Sequence, residues 1–392
     1  MRSSLWLLGS AAVVACGRPA PPPASAPGQS ALADSLAAVT RRFAETTHVP
    51  GLAVGIWRGD SLVYQAGLGV TVLPGGGPVT PSTLFHMASV TKPFVATGIM
   101  QLVEQGKVAL DQPVTFYLPY FSMKDPRART ITIRQLLSHI AGMPDVTDYR
   151  WNHPEYDDGA LDRYIRGLKD STLIAAPGAI WQYSNIGFEV LADVIATVSG
   201  QPFETYVQQH ILTPLRMTKS TLLMTDIDST LMAYGHSADS AGVYHRNADY
   251  PYNRRHAASS TLHSNVADML RWARANLGRG ELDGARILQA TSYQAMWTPA
   301  RDITVELTAR AKRAGVTLPY DSMAVGLSWF LPVGGGRRMV NHSGGDEGFR
   351  TDLLLVPDER IGIVVLLNGD GGNPSLLSKA LLDAIPRSAG RP

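Results

Sequence analysis

Runs with strand character occur only towards the two ends of this chain, and helical patterns fill the stretch between them. Near the start, GLAVGIW (51–57) and SLVYQAGLGV (61–70) meet through Arg58-Gly59-Asp60 and read as a hairpin. Strand-like runs return at VGLSWFLPV (325–333), RRMVNH (337–342), FRTDLLLVP (349–357) and GIVVLLNG (362–369). In the middle lie short helical patterns: IRQLLSH (133–139), ALDRYIRGL (160–168), FEVLADVIATVSG (188–200) and FETYVQQHIL (203–212). One sheet assembled from both termini satisfies this order, and short links between the late runs make it largely antiparallel. The expected architecture is therefore α/β (α+β): a flanked sheet from residues 31–105 and 266–392, and a mostly helical lobe over 106–265. Helices at 31–47 (Leu32, Leu36, Val39 and Phe43 at helix spacing) and 373–385 would cover one face, and the crevice between the two parts is the default place for a site.

The N-terminus carries a different message. Residues 1–15, MRSSLWLLGSAAVVA, place Arg2 ahead of an apolar run that is too short to span a bilayer and suits a signal peptide. The single cysteine, Cys16, follows that run directly, as in a bacterial lipobox, and is the expected lipidation site. Residues 16–30 are rich in Pro, Ala, Gly and Ser and suit a tether from membrane to folded domain. The expected location is the outer side of a membrane, periplasmic or at the cell surface. One cysteine also excludes an intramolecular disulfide and any multi-cysteine metal site. The net charge of +2, without a basic stripe, gives no sign of a nucleic-acid partner.

Three short segments could carry chemistry. Ser89-Val90-Thr91-Lys92 opens a pattern expected to be an amphipathic helix closed by Gly106. Residues i and i+3 share a helix face, so the Lys92 ammonium lies near the Ser89 hydroxyl and can be its base or lower the pKa of another. Tyr183-Ser184-Asn185 follows Pro177-Gly178, ahead of a helix expected near Ile186. An ammonium beside Tyr183 would favour phenolate, and Asn185 offers both an amide donor and an acceptor. His342-Ser343-Gly344-Gly345 ends a strand, where glycines let a substrate backbone approach and the Gly345 N–H can serve an oxyanion.

Taken jointly, the order Ser-x-x-Lys, Tyr-x-Asn, His-Ser-Gly resembles the penicillin-recognising serine hydrolases, nearest to class C β-lactamases and D-Ala-D-Ala carboxypeptidases. The segments ITIRQLLSHIAGMP (131–144), PGAIWQYSNIGFEVLADVI (177–195), FETYVQQHILTPLRM (203–217), ASSTLHSNVADMLRW (258–272) and NHSGGDEGF (341–349) agree with it. The resemblance implies a β-lactamase/transpeptidase-like fold and acyl-enzyme chemistry without metal or cofactor. It implies Ser89 as nucleophile, Lys92 as its proton partner and Tyr183 as general base and later acid. Asn185 would position substrate, His342, Ser343 and Gly344 would line it, and the Ser89 and Gly345 N–H groups would hold the oxyanion. The substrate would be a peptide or small molecule: a cell-wall stem peptide, a β-lactam or an ester.

Class C β-lactamases usually carry lysine where this chain has His342, a permanent cation facing the substrate carboxylate. An imidazole near its reference pKa gives a weaker attraction that fades above about pH 7. The reading therefore leans towards peptides and amides, with β-lactamase proper, a carboxylesterase of the same fold and a catalytically silent cell-wall binding protein as alternatives. No Gly-x-Ser-x-Gly elbow and no His-Glu-x-x-His pair is present, and His86 and His139 are expected to be structural.

Overall fold

The computed structural model describes residues 27–387 apart from 314, 316 and 317. Cys16, the signal peptide and most of the expected tether lie outside the described residues. Helix α1 begins at Pro27 (Pro27–Thr47), so the last residues assigned to the tether are helical.

The main sheet contains β1 (Gly51–Arg58), β2 (Ser61–Gly69), β3 (Arg301–Asp302), β4 (Ser322–Val325), β5 (Phe330–Gly334), β6 (Arg337–Arg338), β7 (Val340–Asp346), β8 (Phe349–Val356) and β9 (Ile361–Leu367). The helices that frame the site are α2 (Lys92–Glu104), α3 (Asn185–Ser199), α4 (Val266–Leu277) and α5 (Pro374–Ala384). Strand order is β2-β1-β9-β8-β7-β5-β4-β3, with β6 beside β5, and the pairings are antiparallel. The N-terminal hairpin docks on the last strand, Leu52 opposite Leu367, so the sheet joins the two chain ends as the sequence order implies.

Side-chain alternation explains the layers. Leu52, Val54 and Ile56 of β1, with Ile363, Val365 and Leu367 of β9, face the layer formed by α1 and α5. Ala53, Val364 and Leu366 face the opposite core, which includes α4 and the helical middle of the chain. A fully buried aliphatic side chain contributes roughly 1.5–3 kcal/mol, so strands apolar on both faces belong in the centre of the sheet. At Gly55 the alternation meets a limit: a Cβ there would fall 2.4 Å from a Val266 methyl, so α4 can sit directly on β1.

Two local expectations are corrected. The run 325–333 is not one strand. Ser328, at φ +70°, turns the chain between β4 and β5, and its N–H reaches the Leu137 carbonyl at 2.6 Å. The segment from Ser89 is a 3-10 turn, Ala88–Thr91, followed by α2, and α2 is buried on every side from Lys92 to Leu102 rather than amphipathic. Phe94 of α2 stacks on Trp272 of α4 with ring centroids 3.9 Å apart. A helix apolar all round is one that the protein encloses.

Candidate active site

The local structure around Ser89 is built from both directions. Phe85 and His86 pair with Ser264 and His263, and the Met87 N–H bonds the Leu262 carbonyl at 2.8 Å. The next residue, Ala88, is fully buried at φ +46°, a left-handed conformation that costs a non-glycine residue about 1 kcal/mol or more. That turn sets Ser89 at the head of α2. Lys92 sits one turn on, with its Nζ 3.0 Å from the Ser89 Oγ.

Lys92 is completely buried, and its Nζ also donates to Asn185 Oδ1 (2.6 Å) and to the Ser259 carbonyl (2.9 Å). Three acceptors match the three N–H bonds of an ammonium. Burial lowers its pKa to about 8 against the pull of Glu189, Asp346 and Asp145, whose negative charges favour the protonated form. Roughly a tenth of the molecules therefore carry neutral Lys92 at pH 7, and the share rises tenfold per pH unit below the pKa.

Tyr183 stacks on His139, with centroids 4.2 Å apart and planes at 25°. The capping box of Thr132 and Gln135 starts the helix Ile133–Leu137, and the chain then turns through His139 at φ +56°. His139 Nδ1 accepts the Ser184 N–H at 3.2 Å, and burial keeps its pKa well below the usual imidazole value. It is a neutral packing residue, as expected. Burial also raises the Tyr183 phenol well above its ordinary pKa, outweighing the opposing pull of the Ser89 hydroxyl. The resting phenol is thus protonated, and the group that loses a proton near neutral pH is Lys92. This differs from the phenolate expected beside an ammonium, the form in which Tyr183 would serve as the general base that the resemblance implies.

Asn185 is the first residue of α3, and Ser184 is its N-cap, accepting the Gly187 N–H. Asp145 receives both the Asn185 N–H (2.8 Å) and its Nδ2 (3.0 Å), which turns Oδ1 towards Lys92. Asp145→Asn keeps the shape but removes a negative charge that favours protonated Lys92. The acid limb of kcat/KM against pH should move down by roughly half a unit with little change in Tm; a limb that stays in place would exclude Asp145 from tuning Lys92.

The third segment lies on β7. Its ladder with β8 runs from Val340 to Asp346, while its bridge to β5 is Phe330–Asn341, leaving the far edge of 342–346 open. The Asn368 N–H to Gly51 carbonyl bond (3.1 Å) fixes the phase of the hydrogen bonding across the sheet. Carried through β9 and β8, that phase points the main-chain groups of Gly344 at β8 and those of Ser343 and Gly345 out of the open edge. Gly344 is required for a separate reason: a Cβ there would lie 2.4 Å from the Met87 carbonyl and 3.0 Å from the Ser89 nitrogen. Ser89, Tyr183, Phe330, His342–Gly345, Arg350 and Gly372–Ser375 line a cavity of about 490 Å³.

His342 requires a correction. Its Nδ1 donates to the Ser343 carbonyl at 2.8 Å, the ring is 1% exposed, and burial followed by the charge of Lys92 depresses its pKa to about 3. It stays neutral across the working pH range, so the pH-dependent attraction for a carboxylate expected of it is absent.

The structure brings Ser89, Lys92, Tyr183, Asn185, His342, Ser343, Gly344 and Gly345 together. It adds groups that the sequence reading did not name. Glu189 accepts the Ala258 and Ser259 N–H groups and so fixes the carbonyl that Lys92 uses. Its sequence signal is a lone carboxylate in the apolar run Ile186–Val190. Asp145 falls one residue beyond the segment 131–144, and Arg350 one beyond 341–349, inside the run 349–357 that reads only for its strand character. His86 pairs with Asp346 at 2.7 Å behind the site, a structural place as expected. Among the described residues no group of three or more His, Asp or Glu side chains is arranged to hold a metal ion.

The profile of the Beta-lactamase family matches residues 36–386, and the chain belongs to that family of serine hydrolases. Penicillin-binding protein 4 of Amycolatopsis lactamdurans is 29% identical over 335 residues, covering 82% of this chain and 81% of that protein. Protein flp of Staphylococcus aureus (strain MW2) is 26% identical over 323 residues; the match takes 82% of this chain and spans 60% of that protein. Two solved structures share the fold. The octameric penicillin-binding protein homologue from Pyrococcus abyssi superposes with a TM-score of 0.76 at 24% identity, over 89% of this chain and 76% of that one. The D-amino acid amidase of Ochrobactrum anthropi SV3 gives 0.72 at 21% identity, over 90% and 98%.

Proposed function

We propose that this chain hydrolyses amide bonds of small peptides or D-amino acid derivatives through an acyl intermediate on Ser89, as a carboxypeptidase or amidase. The observation that carries the reading is the fully buried Lys92 ammonium held between Ser89 Oγ, Asn185 Oδ1 and the Ser259 carbonyl. A binding module gains nothing from burying a cation against a serine hydroxyl. Neutral Lys92 takes the Ser89 proton as Oγ attacks the carbonyl carbon. The Ser89 and Gly345 N–H groups receive the oxyanion. The proton then passes through the Tyr183 phenol to the leaving amine, the C–N bond breaks, and water repeats the sequence on the ester to release the acid.

The open edge of β7 favours an extended peptide, which can pair with the outward main-chain groups of Ser343 and Gly345. The names of the penicillin-binding protein and the D-amino acid amidase point in the same direction. A panel of a D-Ala-D-Ala peptide, nitrocefin and p-nitrophenyl butyrate tests the reading, together with fluorophosphonate labelling. The peptide should show the highest kcat/KM, and labelling should vanish in Ser89→Ala. Fastest turnover of nitrocefin or of the ester would reassign the substrate, and undiminished labelling of Ser89→Ala would remove the acyl-serine.

A further inference from the structure

The cavity in front of Ser89 has an unusual charge arrangement. His342, at the position expected to face a substrate carboxylate, is neutral, and Lys92 is enclosed behind the nucleophile. The cation that lines the open cavity is Arg350, on β8 directly opposite Gly345. Gly345 lacks a side chain, and the guanidinium arm occupies that space: a Cβ on Gly345 would meet the Arg350 Cδ at 3.4 Å and its Nε and Nη1 at 3.6 Å. Nη1 is anchored on the Asp346 (2.6 Å) and Phe349 (2.8 Å) carbonyls at the β7–β8 turn. Among the described residues no carboxylate forms an ion pair with Arg350; the nearby Asp346 carboxylate is engaged by His86. The Nε–H and both Nη2–H donors are left over, the edge of the fork that suits a carboxylate. The start of α5, Asn373–Ser375, lines the same cavity and turns a positive dipole end towards it.

We infer that Arg350 is the specificity-determining residue that receives a carboxylate on the substrate within one residue of the scissile carbonyl, in place of a cation at His342. The inference rests on the proposed amide hydrolysis at this site and names its substrate class: amides whose leaving amino acid is the free C-terminus. The Gly345 N–H points out of the open edge and the Arg350 arm lies over the same residue, so an oxyanion and a carboxylate would be held around one residue of β7. The guanidinium keeps its charge over the whole working range, so the preference should not titrate near neutrality.

The test separates binding from chemistry. In a Ser89→Ala background, the affinities of N-acetyl-D-Ala-D-Ala and of its C-terminal amide are measured by calorimetry, with Arg350 intact and as Arg350→Gln. The acid should bind at least tenfold more tightly than the amide when Arg350 is present, and Arg350→Gln should lower that ratio tenfold or more. Arg350→Lys, which keeps the charge but not the fork, should give an intermediate ratio and decides the matter if Gln disturbs the turn. A ratio near one with Arg350 intact, or an unchanged ratio in both variants, overturns the inference. Because these readings need no turnover, they are distinct from failure of the acyl-serine reading, which would show as undiminished hydrolysis by Ser89→Ala.

Discussion

Lys92→Met should lower acylation of Ser89 by about 10³-fold, the range that a general base contributes, while Tm at pH 7 stays within a few degrees of wild type. The two outcomes have a common cause. Burial lowers the Lys92 pKa from 10.5 to about 8, so the folded state holds the ammonium less readily than the unfolded chain does. For a depressed lysine the unfolded state binds more protons between about pH 8 and 10.5, so stability rises with pH across that window. Below pH 8 the full cost applies, about 3 kcal/mol for a shift of this size. Methionine removes that cost but leaves Asn185 Oδ1 and the Ser259 carbonyl without their donor, a loss of about 1–3 kcal/mol each. These terms oppose one another, so stability changes little and activity changes greatly. In wild type, kcat/KM should climb tenfold per pH unit up to about pH 8 and then level, the profile of a base that must lose its proton. Stopped-flow labelling with a fluorophosphonate across pH 6 to 10 reads both effects. A Lys92→Met enzyme within tenfold of wild type would return the base role to Tyr183.

The sequence located the side chains of the candidate site but not the field they sit in. Ser89 and Lys92 are three residues apart on one turn, and the link between them is local, so spacing alone revealed it. The contact of Lys92 with Asn185 crosses 93 residues; the amide chemistry of Asn185 suited a lysine, but no spacing joined the two segments. Asp145, Glu189 and Arg350 act through contacts whose partners lie elsewhere in the chain or on a neighbouring strand, and no residue spacing encodes those. The neutrality of His342 was out of reach for another reason: its pKa is set by burial, which a sequence does not state. The sheet was legible from the placement of apolar runs at the two ends, because strands buried on both faces must be central. The break at Ser328 was not, since the run Val325–Val333 is equally apolar whether it continues straight or turns, and the turn answers to a bond with distant Leu137.

The geometry at Gly344 yields the second large expectation. Gly344→Ala should reduce kcat/KM for a small neutral ester by about 10²-fold or more, the effect of losing one oxyanion donor. A methyl at this position would fall 2.4 Å from both the Met87 carbonyl and the Thr351 Oγ1, which already donates to that carbonyl at 2.8 Å. Neither contact is the far end of a flexible chain, so β7 must move away from the turn that carries Ser89. That motion widens the gap between the Ser89 and Gly345 N–H groups, which the proposed mechanism needs on the same oxygen. Overpacking should also cost about 1–3 kcal/mol of stability. Gly345→Ala is the matched comparison. Its methyl meets the Arg350 side chain at 3.4 Å or beyond, ordinary van der Waals contact that the anchored arm can keep, so the main chain can stay in register with β8. Its loss on the neutral ester should therefore be about tenfold smaller, and its Tm closer to wild type. Equal losses in the two variants would mean that the close approach of β7 to the Ser89 turn does not set the oxyanion geometry.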